Sequence, residues 1–88
     1  MTKQDADRLS EELGRQFRAH VEVEEVVPGR FRFEVYSRHF GDLSHLQRHD
    51  QGWEVVDRVL NREQVLDVSL LLMLGPEDVD ASLAAIMP

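Results

Sequence analysis

Cysteine is absent from this 88-residue chain, and long apolar runs are absent as well. Without cysteine the chain can form no disulfide, has no thiol nucleophile and offers no thiolate to a metal ion. The longest apolar runs, residues 70–74 and 83–87, are far too short to cross a bilayer. The charged segment from Met1 to Arg8 lacks the apolar core of a signal peptide. We therefore expect a cytoplasmic protein without a membrane segment, folded as one domain over residues 1–88 around a single small core.

Positive charge is also scarce, because 10 lysines and arginines stand against 17 aspartates and glutamates, which gives a net charge of −7. Residues 28–49 are the exception, since four arginines and two acids give this stretch a net charge of +2. Three of the four histidines lie in the same stretch: His39, His45 and His49. Two interpretations remain open, a solvated surface of mixed charge or a local patch that faces anions or acidic groups.

The spacing of apolar residues predicts the first part of the fold. Helical periodicity covers residues 5–19, and strand-like alternation covers residues 21–27 and 30–37. A slip in the alternation predicts a bulge or a longer loop between Glu25 and Arg30. Asp42 is a suitable cap for a short helix over 43–49, Gly52 interrupts it, and a further helix runs from Trp53 to Leu60.

The remaining residues predict a third strand over 65–74 and a final helix that starts at Gly75-Pro76. One set of alternating strand positions is apolar throughout: Leu66, Val68, Leu70, Leu72 and Leu74. The buried stripe of the final helix is Val79, Leu83 and Ile86. The predicted order is α-β-β-α-α-β-α, an α+β fold with a three-stranded mixed sheet and helices mainly on one face. The helical connection between the second and third strands favours their parallel pairing.

A short pattern around the second strand resembles the BolA-like family. The strand ends in Val35-Tyr36-Ser37, Phe40 follows three residues after the serine, and Arg48-His49 comes eight residues after that aromatic. The third strand and Pro76-Glu77 after it are also similar to the family pattern. The resemblance implies a BolA-like α+β domain with the type II KH topology. We predict a partner-binding surface where the second strand meets the following helix, formed by Arg38, His39, His45, Arg48 and His49, with Phe40 anchored in the core.

Two positions depart from the family. BolA-like proteins carry a histidine at the start of the third strand, where this chain has Leu66 or, with the gap placed differently, Val65. They also usually carry a histidine or cysteine in the first hairpin loop, where this chain has residues 27–30. In the family these two residues ligate an iron–sulfur cluster that is shared with a monothiol glutaredoxin. Leucine has no lone pair to donate. We therefore expect no cofactor and no shared cluster. The resemblance implies a protein partner similar to a monothiol glutaredoxin.

Metal binding and catalysis find little support in the sequence. Asp42, His45 and His49 have the i, i+3, i+7 spacing that could hold zinc on one helix face, although no fourth ligand can be named. Ser37 and His39 are two residues apart and do not form a nucleophile–base pair under the strand interpretation. We therefore predict no metal site and no enzymatic activity.

The function predicted from the sequence is that of a non-enzymatic BolA-like binding module, a regulatory or adaptor protein that acts through protein–protein contacts. The alternative is a nucleic-acid-associated transcriptional regulator that uses the KH-like face. The KH loop has the pattern Gly-x-x-Gly, whereas the segment from Arg48 to Gly52 has one glycine and an aspartate. The negative net charge also disfavours a polyanionic ligand. The sequence leaves the oligomeric state open.

Overall fold

The computed structural model describes residues 1–85 and 87 of the chain and has the predicted α+β fold. Its sheet has the strand order β1-β2-β3, with β1 over His20–Val27, β2 over Arg30–Tyr36 and β3 over Val68–Leu74. β1 and β2 are antiparallel, with a register shift between Glu25 and Val27 that confirms the predicted bulge. β2 and β3 are parallel, as the helical connection between them predicts.

The described helices connect and flank these strands. They are α1 over Lys3–Phe17, α2 over His45–Val59, α3 over Arg62–Val65 and α4 over Ala81–Ala85, with 3-10 helices over Arg38–Asp42 and Pro76–Asp78. Among residues 1–85 and 87, no helix has the length and apolar character needed to cross a lipid bilayer.

The core lies between α1, α2 and one face of the sheet. The helical periodicity predicted for α1 is confirmed, because its buried residues recur every three or four positions: Ala6, Leu9, Leu13 and Phe17. A capping box between Thr2 and Asp5 starts α1, and Arg18 ends it in the left-handed conformation with φ 50°. The sheet contributes Phe31, Phe33 and Val35 from β2, which is central and therefore the most buried strand.

α2 differs from its prediction, because it is one continuous helix and not two. Its N-cap is Ser44, whose side chain accepts a hydrogen bond from Gln47 in a capping box, and not Asp42, which belongs to the preceding 3-10 helix. Gly52 lies inside the helix and is buried. A Cβ at this position would lie 2.0 Å from Sδ of Met73, so the glycine allows α2 to approach β3 closely. Gly52, which predicts a helix break from the sequence, is therefore a residue that close packing of α2 against β3 requires.

β3 also differs from its prediction. Val65 belongs to α3, and Phe31 pairs with Val68 whereas Arg32 pairs with Leu70, which leaves Ser69 as an extra residue. A slip of one residue reverses the faces of the positions that follow. The residues that β3 buries beyond the slip are consequently Leu71 and Met73, while Leu70 is 42% exposed and lies opposite Arg32 on the other face.

The C-terminal segment is less regular than predicted. The 3-10 helix over Pro76–Asp78 is separate from α4, which begins only at Ala81. Val79 and Leu83 are half-buried, and the predicted stripe residue Ile86 lies outside the described residues.

Candidate functional site

The corner after β2 explains the serine and the aromatic of the BolA-like pattern. The buried Ser37 hydroxyl donates a hydrogen bond to the carbonyl of Phe17 at 2.6 Å and accepts one from the backbone N–H of His39 at 3.1 Å. Phe40 is fully buried, with its ring centroid 5.0 Å from that of Phe17. The corner therefore fastens the end of β2 to the end of α1. Because both hydrogen bonds of the serine hydroxyl involve the backbone, the corner has a structural role and is not arranged as a catalytic pair.

Arg38 and His39 lie exposed on the 3-10 helix that follows this corner. Nη2 of Arg38 donates to the carbonyl of Ala84 at 2.7 Å, which connects the corner to α4. The ring of His39 stacks on that of Phe17 at 6.1 Å, and its Nε2 lies 3.3 Å from Oε1 of Gln51 on α2. These two predicted site residues therefore keep their exposed positions but already contact other parts of the fold.

Arg48 is buried, in contrast to the exposed position that we predicted for a partner-binding residue. It is 4% exposed, and its Nε donates to the carbonyl of Leu43 at 3.1 Å. Nη1 donates to Oδ2 of Asp78 at 2.5 Å, and Nη2 pairs with Glu77. We call these contacts the Arg48 clamp. They fix the start of α2 against the segment after β3, so the guanidinium is not free to bind a partner directly.

The Arg48 clamp also perturbs the titration of Asp78. The backbone N–H of Gly75 donates to Oδ2 of Asp78 at 2.9 Å, and Arg48 adds its own hydrogen bond and positive charge. Together they hold the pKa of the Asp78 carboxyl below its usual value, against the opposing effect of burial. The carboxylate is therefore ionised near neutral pH, as the ion pair requires.

His45 and His49 are both exposed on one side of α2, where they form the rim of a groove. The groove has a volume of about 230 Å³ and lies between α2 and β3, with Leu71–Leu74 along its strand side and Arg48 beneath. The ring of His49 lies 6.0 Å from that of Trp53. The groove therefore combines an imidazole rim with an apolar strand.

The structure brings three of the five predicted site residues together and separates the other two. His45, Arg48 and His49 line the groove. His39 contacts α2 at Gln51, which is two residues and about 200° around the helix from His49. Within residues 1–85 and 87, no hydrogen bond or ring contact joins Arg38 or His39 to either histidine of the groove.

The considered metal site does not form in the described part of the chain. No group of three or more histidine, aspartate or glutamate side chains there is arranged to hold a metal ion. The start of α2 explains this result, because Asp42 precedes the helix in a separate 3-10 turn while His45 and His49 lie on α2 itself.

The first hairpin turn and the residues just before β3 lie at the same end of the sheet. The backbone N–H of Phe31, just after the hairpin turn, donates to the carbonyl of Asp67 at 2.9 Å, which places Leu66 beside that turn. Leu66 is 74% exposed, and Val27 at the start of the turn is 50% exposed. Neither leucine nor valine can act as a metal ligand.

Sequence reasoning missed Glu77 and Asp78 as members of the site. Their only signal in the sequence was the Pro-Glu-Asp start of a helix, which explains acids by the helix dipole. Their contact with Arg48 spans 29 and 30 residues of sequence. Nothing in the local pattern indicates a pair at that separation.

No family model matches this chain, and no curated protein matches it. The resemblance to the BolA-like family therefore depends on the residues around the Ser37 corner and on the order of helices and strands. The groove and the Arg48 clamp come from the structure of this chain itself.

Proposed function

We propose that this chain is a BolA-like, non-enzymatic binding module of the cytoplasm, a regulatory or adaptor protein that acts through protein–protein contacts. The observation that carries the proposal is the groove between α2 and β3, with His45 and His49 on its rim and an apolar strand along its side. The Arg48 clamp supports the proposal because it holds the α2 wall of this groove to the segment that directly follows the β3 wall. A fixed site loses little conformational freedom when a partner binds.

The charges around the arginines favour a protein partner over a nucleic acid. Arg32 pairs with Glu34 at 2.7 Å, and Arg48 pairs with Glu77 and Asp78. Glu77 and Asp78 lie outside residues 28–49, so the fold adds acids to a stretch whose own net charge is +2. Phosphate contacts supply most of the affinity for nucleic acids, and two of the four arginines are already paired with carboxylates. The alternative of a nucleic-acid-associated transcriptional regulator is correspondingly weaker.

The apolar end of the sheet indicates how a glutaredoxin-like partner would bind. Leu66 and the loop of residues 27–30 provide no histidine or cysteine at the positions that correspond, by resemblance, to the cluster ligands of BolA-like proteins. A partner of that class would therefore contact the protein surface and would form no cluster bridge. The proposed contact residues are His45 and His49 in the groove, with Arg38 and His39 as a separate exposed set and Arg48 as the residue that positions the helix.

The test is partner capture with variants of the groove rim. Wild-type protein, the double variant His45→Ala/His49→Ala and the control His20→Ala are immobilised and exposed to cytoplasmic extract, and bound proteins are quantified by mass spectrometry. His20 is an exposed histidine on β1, away from the groove. We expect a partner that binds wild type and control equally and falls at least tenfold with the double variant. Equal capture by all three proteins would contradict the proposal.

A further inference from the structure

The outer edge of β3 has backbone groups that the sheet does not pair. In a parallel ladder, alternate residues direct their N–H and C=O towards the neighbouring strand. The N–H of Ser37 donates to the carbonyl of Leu74 at 3.0 Å, so Leu70, Leu72 and Leu74 direct these groups towards β2. Leu71 and Met73 direct theirs outward, where no hydrogen bond of the described residues uses them.

The two edges of the sheet differ in their chemistry. The outer strand β1 carries Glu22, Glu24 and Glu25, and charges of this kind prevent an edge strand from pairing with another chain. β3 has no charge and no proline from Val68 to Leu74, and Leu70 is 42% exposed. An uncharged apolar edge is competent to pair, so β3 is the edge of this sheet that is open to another strand.

We propose that β3 pairs antiparallel with β3 of a second copy of this chain, about a twofold axis at Leu72, and joins the two sheets into one of six strands. Leu72 then faces Leu72 of the other copy, Leu70 faces Leu74, and Leu71 faces Met73. The Leu71–Met73 pairs have their backbone groups directed outward, so each can exchange two hydrogen bonds. The same register keeps the buried face and the open face of the two sheets continuous.

The charge distribution indicates a second copy as the occupant of this edge. Each copy carries −7, so most pairs of surfaces repel, whereas the facing β3 segments are uncharged. The strand is complementary to itself, because every pair in the proposed register joins two apolar residues. Pairing also places the glutamate-bearing β1 strands at both outer edges, which stops growth at two copies. Leu71–Leu74 also line the groove between α2 and β3, so a second copy paired with β3 and a partner in that groove would compete for the same segment. The inference does not rest on the proposed function, because it is tested with variants of β3 and the proposed function with variants of the rim histidines on α2.

Single-cysteine variants test the register, since the chain has no cysteine of its own. Directly opposed residues of a non-hydrogen-bonded antiparallel pair have Cα atoms about 4.5 Å apart, within the range for a disulfide. Leu72→Cys should therefore cross-link to itself under mild oxidation. Leu70→Cys and Leu74→Cys should each fail alone, because the like residues of two copies lie four positions apart, roughly 13 Å. An equal mixture of these two variants should cross-link as a mixed dimer.

Sedimentation equilibrium measures the self-association of the wild-type protein and needs no substitution. We expect a monomer–dimer equilibrium that Leu72→Lys shifts at least tenfold towards monomer, while the exposed control Leu46→Lys leaves it unchanged. Far-UV circular dichroism checks that both variants are folded. A wild type that sediments as a monomer up to about 1 mM, together with a Leu72→Cys variant that stays reduced, would overturn the proposal. Self-cross-linking of Leu70→Cys as fast as that of Leu72→Cys would overturn the register.

Discussion

Arg48 connects three parts of the chain through one guanidinium. It donates to the carbonyl of Leu43 before α2 and pairs with Glu77 and Asp78 after β3. The side chain is 5% exposed, while those of Glu77 and Asp78 are 50% and 22% exposed. Removing one partner of a buried ion pair leaves the other charge without compensation, which is the main energetic consequence of losing such a pair. The arginine that resembles a family signature residue therefore has a structural reason to be there.

Arg48→Ala should destabilise the fold by about 2 kcal/mol near neutral pH. This is less than the roughly 3–5 kcal/mol for a fully buried pair, because both carboxylates retain contact with water. Urea unfolding followed by circular dichroism measures the change. The control is Arg15→Ala, which removes an exposed pair with Glu12 and should have little effect. Equal effects of the two substitutions would show that the Arg48 clamp is energetically unimportant.

The stability difference between wild type and Arg48→Ala should also depend on pH. The Gly75 N–H and Arg48 lower the pKa of Asp78 in the folded state. A lowered folded-state pKa gives stability that is fully present above the unfolded pKa and is lost as the pH falls through the folded value. The difference should therefore be constant near neutral pH and shrink below about pH 4. A difference that grows on acidification would contradict the assignment.

The elements of this fold differ in how far their sequence determines them. From Phe31 to Val35, β2 alternates buried with half-buried residues, so its alternation predicts both its extent and its phase. β3 is apolar on both faces, and alternation then carries no information about phase, which is why the slip at Ser69 was missed. Local propensity predicts a helix break at Gly52, whereas the close approach of α2 to Met73 requires a glycine inside the helix. Contacts that are distant in sequence decide both cases.

Gly52→Ala should destabilise the protein although alanine is the better helix former. The added Cβ would lie 2.0 Å from Sδ and 3.0 Å from Cε of Met73, so α2 or the methionine has to move. Overpacking of this kind costs about 1–3 kcal/mol and opposes a gain of about 1 kcal/mol in helix propensity. We expect a net loss of up to about 2 kcal/mol in thermal or urea unfolding.

Gly14→Ala provides the matched control for that substitution. Gly14 also lies in a helix, but the nearest atom to its added Cβ is the Ala19 carbonyl oxygen at 3.4 Å, an ordinary contact. We expect this variant to be neutral or more stable. If both alanines stabilise the protein, then α2 does not depend on the close approach at Gly52.

The distribution of charge in the folded protein differs from the distribution of charge along the sequence. The net charge of −7 is that of the whole chain, whereas the net charge of +2 counts only the side chains of residues 28–49. Folding brings Glu24, Glu77 and Asp78 to the arginines of that stretch. The net charge of the stretch therefore overstates the positive charge that a ligand would meet. The sequence alone does not reveal this pairing, because the acids come from other parts of the chain.

Nucleic-acid binding should consequently be weak. We expect no binding tighter than roughly 100 μM at physiological salt, which is the weak end of the usual non-specific range. Fluorescence-anisotropy titrations of single-stranded and duplex oligonucleotides at two salt concentrations measure it. The informative variant is Arg30→Ala/Arg38→Ala, because these two arginines are exposed and their loss leaves the buried Arg48 clamp intact. Micromolar binding that falls steeply with salt and is lost in this double variant would contradict the adaptor proposal. It would instead favour a regulator that contacts the phosphate backbone through its exposed arginines.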